Sequence, residues 1–177
     1  NKFRLRVVDF ITFIQFFSFS KDCVHIEKFI DSGLSEDFHK NFYKFYGYEA
    51  EYTSIEELFT DIANDTFFSI DIEGSEYGLL DKIVNSQGKL SGLVVELHNA
   101  HLNKSRIENF IKNFELKLIH LHVNNYAEIQ SGFPSVIELT FSRFAELTNN
   151  MVEILPNKLD QKNYEYGPNY SATFNEE

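Results

Sequence analysis

Between residues 54 and 141, short apolar runs alternate with segments of helical periodicity, and this alternation constrains the fold more than any other feature of the chain. Four apolar runs predict buried strands: 67–72, 92–97, 116–123 and 135–141. Three segments with apolar residues at helical spacing lie before and between them: 54–62, 75–84 and 103–114. Strands that alternate with helices predict a mostly parallel sheet with right-handed crossovers. We therefore expect an α/β, Rossmann-like fold with helices on both faces of the sheet and sequential strands as neighbours.

The last two predicted strands are joined in a different way. Only 11 residues, Asn124 to Pro134, connect them, and this stretch has no helical pattern. A parallel pair needs a crossover of a dozen or more residues, usually a helix. We therefore predict that 135–141 runs antiparallel to the other three strands.

Two helix starts can be read before the first strand. Ser54 and Glu57 have the spacing of a capping box. Ser35 suits the start of another helix and Gly47 its end. Between them, three aromatic residues fall on one helical face, which we expect in the core: Phe38, Phe42 and Phe45.

Length and composition predict a single domain. The chain has 177 residues, of which 43% are hydrophobic, and this is enough for a full core. We expect 54–145 to form the core of the α/β domain and leave 1–53 as an N-terminal segment of uncertain structure. Pro156, Pro168 and several asparagines predict an irregular tail over 146–177.

An apolar run, 7–19, follows three basic residues, as in a signal peptide. Asp9 and Gln15 interrupt it, and it is shorter than the roughly 20 residues that cross a bilayer. A buried strand or helix is therefore the favoured interpretation. The chain begins with Asn1 and its only methionine is Met151, so we expect further sequence upstream.

The charge balance is acidic. The chain has 16 Lys and Arg against 27 Asp and Glu, a formal net charge of −11, and no basic stretch. This argues against nucleic acid or an anionic membrane as a partner. The single cysteine, Cys23, excludes an internal disulfide and favours a cytoplasmic location, while the oligomeric state stays open.

Polar side chains follow or end three of the predicted strands. Asp71 and Glu73 come at the first strand, and Glu96, His98 and Asn99 at the second. The third strand contains His120 and His122 near its end and is followed by Asn124 and Asn125. Because ligands of open α/β sheets bind beyond the carboxyl ends of the parallel strands, these residues predict a site at one edge.

Structural interpretations compete with the functional one at several of these positions. Glu73 could stabilise the N-terminus of the following helix. Asn124 and Asn125 could form a turn, because asparagine tolerates left-handed backbone geometry. Glu138 lies inside the last strand, where a buried acid needs a partner.

Several common enzyme motifs are absent from the sequence. It has no Gly-x-Gly-x-x-Gly turn, no P-loop and no Gly-x-Ser-x-Gly elbow. It also has no cysteine pair and no His-Glu-x-x-His. These absences disfavour P-loop enzymes, α/β hydrolases and zinc proteases.

Four segments together resemble a known family. They are the segment from Ser69 to Leu80 (SIDIEGSEYGLL), 94–99 (VVELHN), 119–126 (IHLHVNNY) and 134–141 (PSVIELTF), and a tail segment, 155–161, adds to the likeness. This order resembles FkbM-type methyltransferases, which are S-adenosylmethionine-dependent O-methyltransferases with the class I fold. The likeness covers about residues 54–170. The class I fold also has an antiparallel last strand, in agreement with the connection lengths.

The resemblance implies a cofactor and an acceptor. The cofactor would be S-adenosylmethionine, contacted by Asp71 and Glu73, and the acceptor a hydroxyl of a sugar or small metabolite. Class I methyltransferases usually also have a glycine-rich turn after their first strand and an acid at the end of the second, and neither is identifiable here. We therefore expect that an N-terminal half is missing and that this chain alone binds S-adenosylmethionine weakly or not at all.

Methyl transfer to a hydroxyl needs a base or a metal that activates the acceptor. His98 is the candidate base, because its unperturbed pKa is near neutrality, and Asp71 could orient the acceptor or the base. Alternatively, Asp71, Glu96 and His98 could hold a divalent cation such as Mg²⁺. Four residues are the candidates for acceptor binding: Asn99, His122, Asn124 and Asn125.

Two other functions remain open from the sequence. One is a non-catalytic remnant or binding module on the same fold, which the missing glycine-rich turn favours. The other is a different carboxylate enzyme, such as a hydrolase that uses Asp71 and Glu96.

Overall fold

The computed structural model describes residues 29–30, 44, 52–62, 64–146, 155–157 and 160–170. The apolar run 7–19 and Cys23 lie outside these residues. So does the aromatic helix predicted between Ser35 and Gly47, apart from Lys44, which is helical.

The main sheet has four strands in the order β3–β4–β8–β5. They are β3 (Thr66–Ile70), β4 (Leu90–His98), β8 (Val136–Ser142) and β5 (Lys117–Val123). The first two are parallel neighbours, as predicted, and β8 pairs antiparallel with both β4 and β5. The predicted strand directions are therefore confirmed, because β3, β4 and β5 all run opposite to β8.

The prediction of a mostly parallel sheet needs correction. By pairing, the sheet is mixed, with one parallel pair and two antiparallel pairs. The cause is the position of β8, which inserts between β4 and β5 and separates two strands that point the same way. The connection before it, 124–134, contains a small hairpin and no helix, which is why the chain returns beside β5.

Four short strands complete the described β structure. They form a parallel pair, β1 (Phe29–Ile30) with β2 (Tyr52–Thr53), and a hairpin, β6 (Ile129–Gln130) with β7 (Phe133–Pro134). The hairpin turns at Ser131 and Gly132, whose φ angles of 51° and 76° are both positive. Two positive φ angles define the turn type that matches the twist of paired strands.

Three α-helices are described: α1 (Ile55–Asp61), α2 (Leu80–Ser86) and α3 (Lys104–Asn113). The capping box before α1 is confirmed, since Glu57 N donates to Ser54 Oγ at 3.0 Å and Ser54 N donates to Glu57 Oε2 at 3.2 Å. The helix predicted over 75–84 differs, because it begins as a 3₁₀ turn, Glu76–Gly78, before α2. A glycine in this position weakens regular α-helix.

All three helices bury their apolar side chains in one cluster with one face of the sheet. Phe59 of α1 packs edge-on against Phe68 of β3, and Phe110 of α3 packs edge-on against Phe141 of β8. The strand residues of this cluster alternate along the chain, as strand geometry requires: Ile70, Leu93, Val95, Leu97, Ile137, Leu139 and Phe141. The apolar face of the sheet is thus fully covered.

The opposite face of the sheet is mostly polar. The helices α1, α2 and α3 all pack on the apolar face, so the prediction of helices on both faces stays a prediction. The polar face is contacted instead by irregular chain from 160–170, which meets the strands through Asp160 and Asn163. The irregular tail expected from its prolines is observed where the tail is described. No described helix has the length and apolarity that a membrane crossing requires.

Candidate functional site

The carboxyl ends of β3 and β4 bring three candidate residues together. Asp71 directly follows β3, while Glu96 and His98 lie at alternate positions of β4 and so share the polar face. One ligand-type atom from each of the three lies within 4.8 Å of the others. We call Asp71, Glu96 and His98 the strand-end cluster.

A tight turn after β3 carries the chain over the end of β4. Glu73 and Gly74 both have positive φ angles, 53° and 102°. The value at Gly74 strains any residue with a side chain, so the turn requires glycine there. A Cβ at Gly74 would lie 3.9 Å from His98 Cβ and 3.8 Å from Asn99 Nδ2, so the turn closely covers the end of β4.

Glu76 is the central acceptor of this turn. It is only 1% exposed, and its Oε1 accepts hydrogen bonds from Ile72 N at 3.2 Å and Gly74 N at 2.9 Å. The same oxygen lies 3.0 Å from His98 Nδ1. Among the described residues, no partner meets the buried Oε2 of Glu76.

This contact determines which nitrogen of His98 is available for chemistry. Glu76 Oε1 already accepts two backbone N–H groups, so it acts as an acceptor, and His98 Nδ1 must carry the proton. In the neutral imidazole, Nε2 then has the free lone pair. It points toward Glu73, whose Oε2 is 3.5 Å away on a side chain that is 86% exposed. His98 thus presents a basic nitrogen to the open side of the cluster.

Glu96 sits in an environment that disfavours its charge. Burial raises the pKa of the Glu96 carboxyl above its ordinary value, and the nearby acids Asp71 and Glu138 raise it further. A hydrogen bond from Asn124 and the proximity of His98 act in the opposite direction. A cation bound beside Glu96 would relieve this repulsion, because opposite charge favours the ionised form.

Asn124 is both a residue of the candidate site and a turn residue, the two roles that its sequence position predicted. Its Nδ2 donates to Glu96 Oε1 at 2.7 Å, which joins it to the strand-end cluster. Its Oδ1 accepts from Tyr126 N at 2.9 Å, which is the bond of an asparagine turn. Asn99 lies at the rim of the cluster, is exposed and has a left-handed φ of 52°.

Asn125 and His122 lie away from the strand-end cluster. Asn125 is buried, and its side-chain amide bonds the backbone of Tyr164 and Pro168. It therefore ties the tail to the end of β5. His122 faces Asp160 and Asn163, which belong to a separate group of residues.

Tyr77 lies beside Glu76 and is a poor candidate for a base. Burial raises the pKa of its phenol to about 12, with a further contribution from Glu76. The hydroxyl therefore stays protonated at neutral pH. The Arg106 guanidinium lies 5.2 Å from the centre of the Tyr77 ring and donates to its backbone oxygen at 2.9 Å, which favours a structural role.

Sequence reasoning missed Glu76. The resemblance segment contained it, but its periodicity suggested only an acid in the first turn of a helix. A signal was present in the spacing, since Asp71, Glu73 and Glu76 bracket the glycine of the turn. A tight turn at Gly74 reverses the direction of the chain. It can therefore bring the side chain of Glu76 close to Asp71.

No family model matches the chain, and no significant match was found among curated proteins or solved structures. The methyltransferase resemblance therefore stays a prediction, and the function must be argued from the site itself.

Proposed function

We propose that this chain carries the acceptor-activating site of an S-adenosylmethionine-dependent O-methyltransferase, with His98 as general base. The observation that carries the proposal is the contact of His98 Nδ1 with the buried Glu76 carboxylate, 3.0 Å away. A base oriented by a buried carboxylate is a recurring arrangement in proton-transfer sites. The acceptor would be a hydroxyl of a sugar or small metabolite.

The charge around the site suits a cationic methyl donor. S-adenosylmethionine supplies its methyl group on a positively charged sulfonium. Three acids surround the open side of His98: Asp71, Glu73 and Glu96. A cation is attracted to such a set, and it would favour the ionised form of Glu96, whose pKa is raised by burial and by the neighbouring acids.

The proton of the acceptor hydroxyl would move to His98 Nε2 as its oxygen forms a bond to the methyl carbon. Glu76 would hold the imidazolium that results, through the hydrogen bond at Nδ1. Asp71 and Asn124 would position the acceptor from either side of Glu96. The carbon–sulfur bond of the donor breaks in the same step, so the electron pair leaves on sulfur.

The sheet is compatible with this proposal. Its last strand is antiparallel to the other three, as in the class I fold that the resemblance implies. The strand-end cluster also occupies the edge where ligands of open α/β sheets bind.

A divalent cation would use the same residues in a different way. Asp71, Glu96 and His98 Nε2 could coordinate Mg²⁺ or Mn²⁺, and the ion would lower the pKa of the acceptor hydroxyl. Because the base and the ligand roles both need the lone pair on Nε2, the two mechanisms exclude each other. Methyl transfer that survives a chelator supports His98 as base.

Calorimetric titration with S-adenosylmethionine and S-adenosylhomocysteine tests the proposal. We expect micromolar binding by the full-length protein and weak or no binding by this 177-residue chain, because its sequence lacks the glycine-rich turn. In the full-length protein, His98→Gln should lower methyl transfer about 10²- to 10⁴-fold and leave donor affinity nearly unchanged. Full-length protein that binds neither compound would refute the proposal.

A hydrolase is the second candidate, favoured by the close approach of Asp71 and Glu96. Two carboxyl groups this close together can act as general acid and nucleophile, or they can both bind a catalytic cation. Turnover of a glycoside or ester substrate without S-adenosylmethionine, abolished in Glu96→Gln, would favour this function over methyl transfer.

A further inference from the structure

A second group of ligand-type side chains lies on the same polar face, at the other edge of the sheet. His120 and His122 are two residues apart on β5, so both rings project from one face. Asp160 of the tail meets both: its Oδ1 is 2.9 Å from His120 Nε2, and its Oδ2 is 3.5 Å from His122 Nδ1. We call His120, His122 and Asp160 the tail cluster.

Two backbone contacts with Asn157 position Asp160, and one of them uses Oδ2, the oxygen that faces His122. Asn157 N donates to Asp160 Oδ2 at 2.8 Å, and Asp160 N donates to the Asn157 carbonyl at 2.9 Å. His122 pairs across the strands with Glu138 of β8. The three side chains are between 11% and 27% exposed, so the cluster is mostly shielded from water.

The hydrogen bonds of Asn163 determine the tautomer of His122. Asn163 Nδ2 donates to Glu138 Oε1 at 3.0 Å, which fixes the orientation of its amide. The remaining amide oxygen lies 2.8 Å from His122 Nε2 and must accept its proton. In neutral His122 the lone pair is then on Nδ1, which faces the Asp160 carboxylate.

Two acceptors therefore face each other at His122 and Asp160. A lone pair on Nδ1 and an oxygen of a carboxylate repel one another at 3.5 Å, and either a second proton on the imidazole or a metal cation between the two atoms removes this repulsion. Ligands that bind zinc at about 2.0–2.2 Å are roughly 3.3–3.6 Å apart in a tetrahedron. The separation between these two atoms falls within this range. His120 Nε2 and Asp160 Oδ1 are 2.9 Å apart, at hydrogen-bond distance, so they would move apart by a few tenths of an ångström when a metal binds.

The donor types indicate which metal would fit. Two imidazoles and one carboxylate suit zinc or another first-row transition metal, whereas Mg²⁺ and Ca²⁺ prefer oxygen ligands. The three ligand atoms lie within 4.8 Å of one another. His122 Nε2 donates to Asn163 Oδ1. Metal-binding histidines are commonly oriented by such a hydrogen bond from the ring nitrogen that does not bind the metal.

A cavity of about 380 Å³ adjoins the tail cluster. His122 and Asp160 line it, together with Asn125 after β5 and three residues of the tail: Leu155, Pro156 and Tyr170. Three protein ligands leave a fourth position of a tetrahedral zinc site free for water or a small ligand. The cavity provides room for such a ligand beside the metal.

We propose that His120, His122 and Asp160 bind a single first-row transition metal ion, with Zn²⁺ preferred over Mg²⁺, and that the ion fastens the tail to β5. The site is distinct from the strand-end cluster, because β8 with Glu138 lies between β4 and β5. It does not depend on the methyltransferase proposal.

The test is a zinc titration of chelator-treated full-length protein, followed by calorimetry and by metal analysis after dialysis. We expect one tightly bound Zn²⁺ at this site and no comparable Mg²⁺ binding. His120→Gln and Asp160→Asn should each remove it, whereas Glu96→Gln, which removes a ligand of the strand-end cluster, should retain it. Asn163→Ala should weaken the affinity about 10- to 100-fold, as loss of an outer hydrogen bond does.

Hydrogen exchange supplies a readout that is independent of stoichiometry. Zinc should slow amide exchange in 160–170 of the wild type and not in Asp160→Asn, since an ion that joins the tail to β5 stabilises that contact. Asp160→Asn keeps the side-chain shape and lies outside the apolar core, so it tests the site even if a histidine variant misfolds. Wild-type protein without zinc, or zinc binding that Asp160→Asn and His120→Gln both retain, would overturn the proposal.

Discussion

Replacement of Glu76 should reveal how much the turn after β3 and the orientation of His98 depend on one buried carboxylate. In Glu76→Ala, the N–H groups of Ile72 and Gly74 lose their acceptor, as does His98 Nδ1. An unsatisfied buried donor costs about 1–3 kcal/mol. The two backbone groups alone therefore predict a loss of roughly 2–6 kcal/mol in the free energy of unfolding.

Glu76→Gln separates the charge from the hydrogen-bond geometry. The amide oxygen can still accept from the same donors, but a charge-assisted bond becomes a neutral one. Bonds to charged groups contribute about 1.5–3 kcal/mol and neutral ones about 0.5–1.5 kcal/mol, so the expected loss is roughly 1–2 kcal/mol. Glu73→Gln is the matched control. Its side chain is 86% exposed, so its effect should stay within about 0.5 kcal/mol.

Urea denaturation measures these losses, and nitrogen NMR of the imidazole reports the tautomer of His98. The wild type should show the proton on Nδ1, and Glu76→Ala should shift the population toward the proton on Nε2. If Glu76→Ala loses no more stability than Glu73→Gln, the turn does not depend on the buried carboxylate. If the wild type already carries its proton on Nε2, His98 cannot act as the base proposed here.

Three further perturbations have defined outcomes. Glu96→Gln should raise the melting temperature of metal-free protein at pH 7 to 8 and have little effect near pH 4. The folded-state pKa of Glu96 is raised, so the carboxyl costs stability progressively as pH rises from its unfolded-state pKa through the folded-state value. Thermal denaturation at several pH values checks this, and an equal effect at every pH would contradict it. Gly74→Ala should lower the free energy of unfolding by about 1–3 kcal/mol in chemical denaturation, because a φ of 102° is strained for a residue with a side chain. A neutral effect would show that the turn has relaxed. Asn125→Ala should speed amide exchange in 164–168 and leave exchange in β4 unchanged, since the side-chain amide of Asn125 bonds the tail backbone. Faster exchange in β4 would mean that Asn125 also supports the strand-end cluster.

The four strands of the main sheet could be predicted from the sequence to within two residues at each end, whereas the four two-residue strands were not predicted. Their apolar runs are local, and the length of each connection determined the direction of the following strand. The insertion of β8 between β4 and β5 could not be predicted in the same way, because it depends on which strand edges pair at long range. The periodicity of 75–84 likewise predicted a helix but not the 3₁₀ turn at its start.

The residues of the strand-end cluster were predictable because each ends or follows a strand. Glu76 was not, because its contact with His98 depends on the positive φ angles of Glu73 and Gly74, which redirect the chain. Asp160 was hidden for a different reason. It lies in irregular chain without periodicity, 38 residues beyond His122, the second of the two histidines that it meets.

The composition of the polar face is itself an argument that ligands bind there. Interior strand positions favour β-branched and aromatic residues, yet β4, β8 and β5 place acids and histidines side by side on this face. Glu96 pairs directly with Glu138 across β4 and β8, and like charges in that position are destabilising. The hydrogen bonds from Asn124 and Asn163 offset only part of this repulsion, since each acid receives one of them. A cation at either end of the row, at the strand-end cluster or the tail cluster, would offset more of it, so the free energy of unfolding should rise when cations bind.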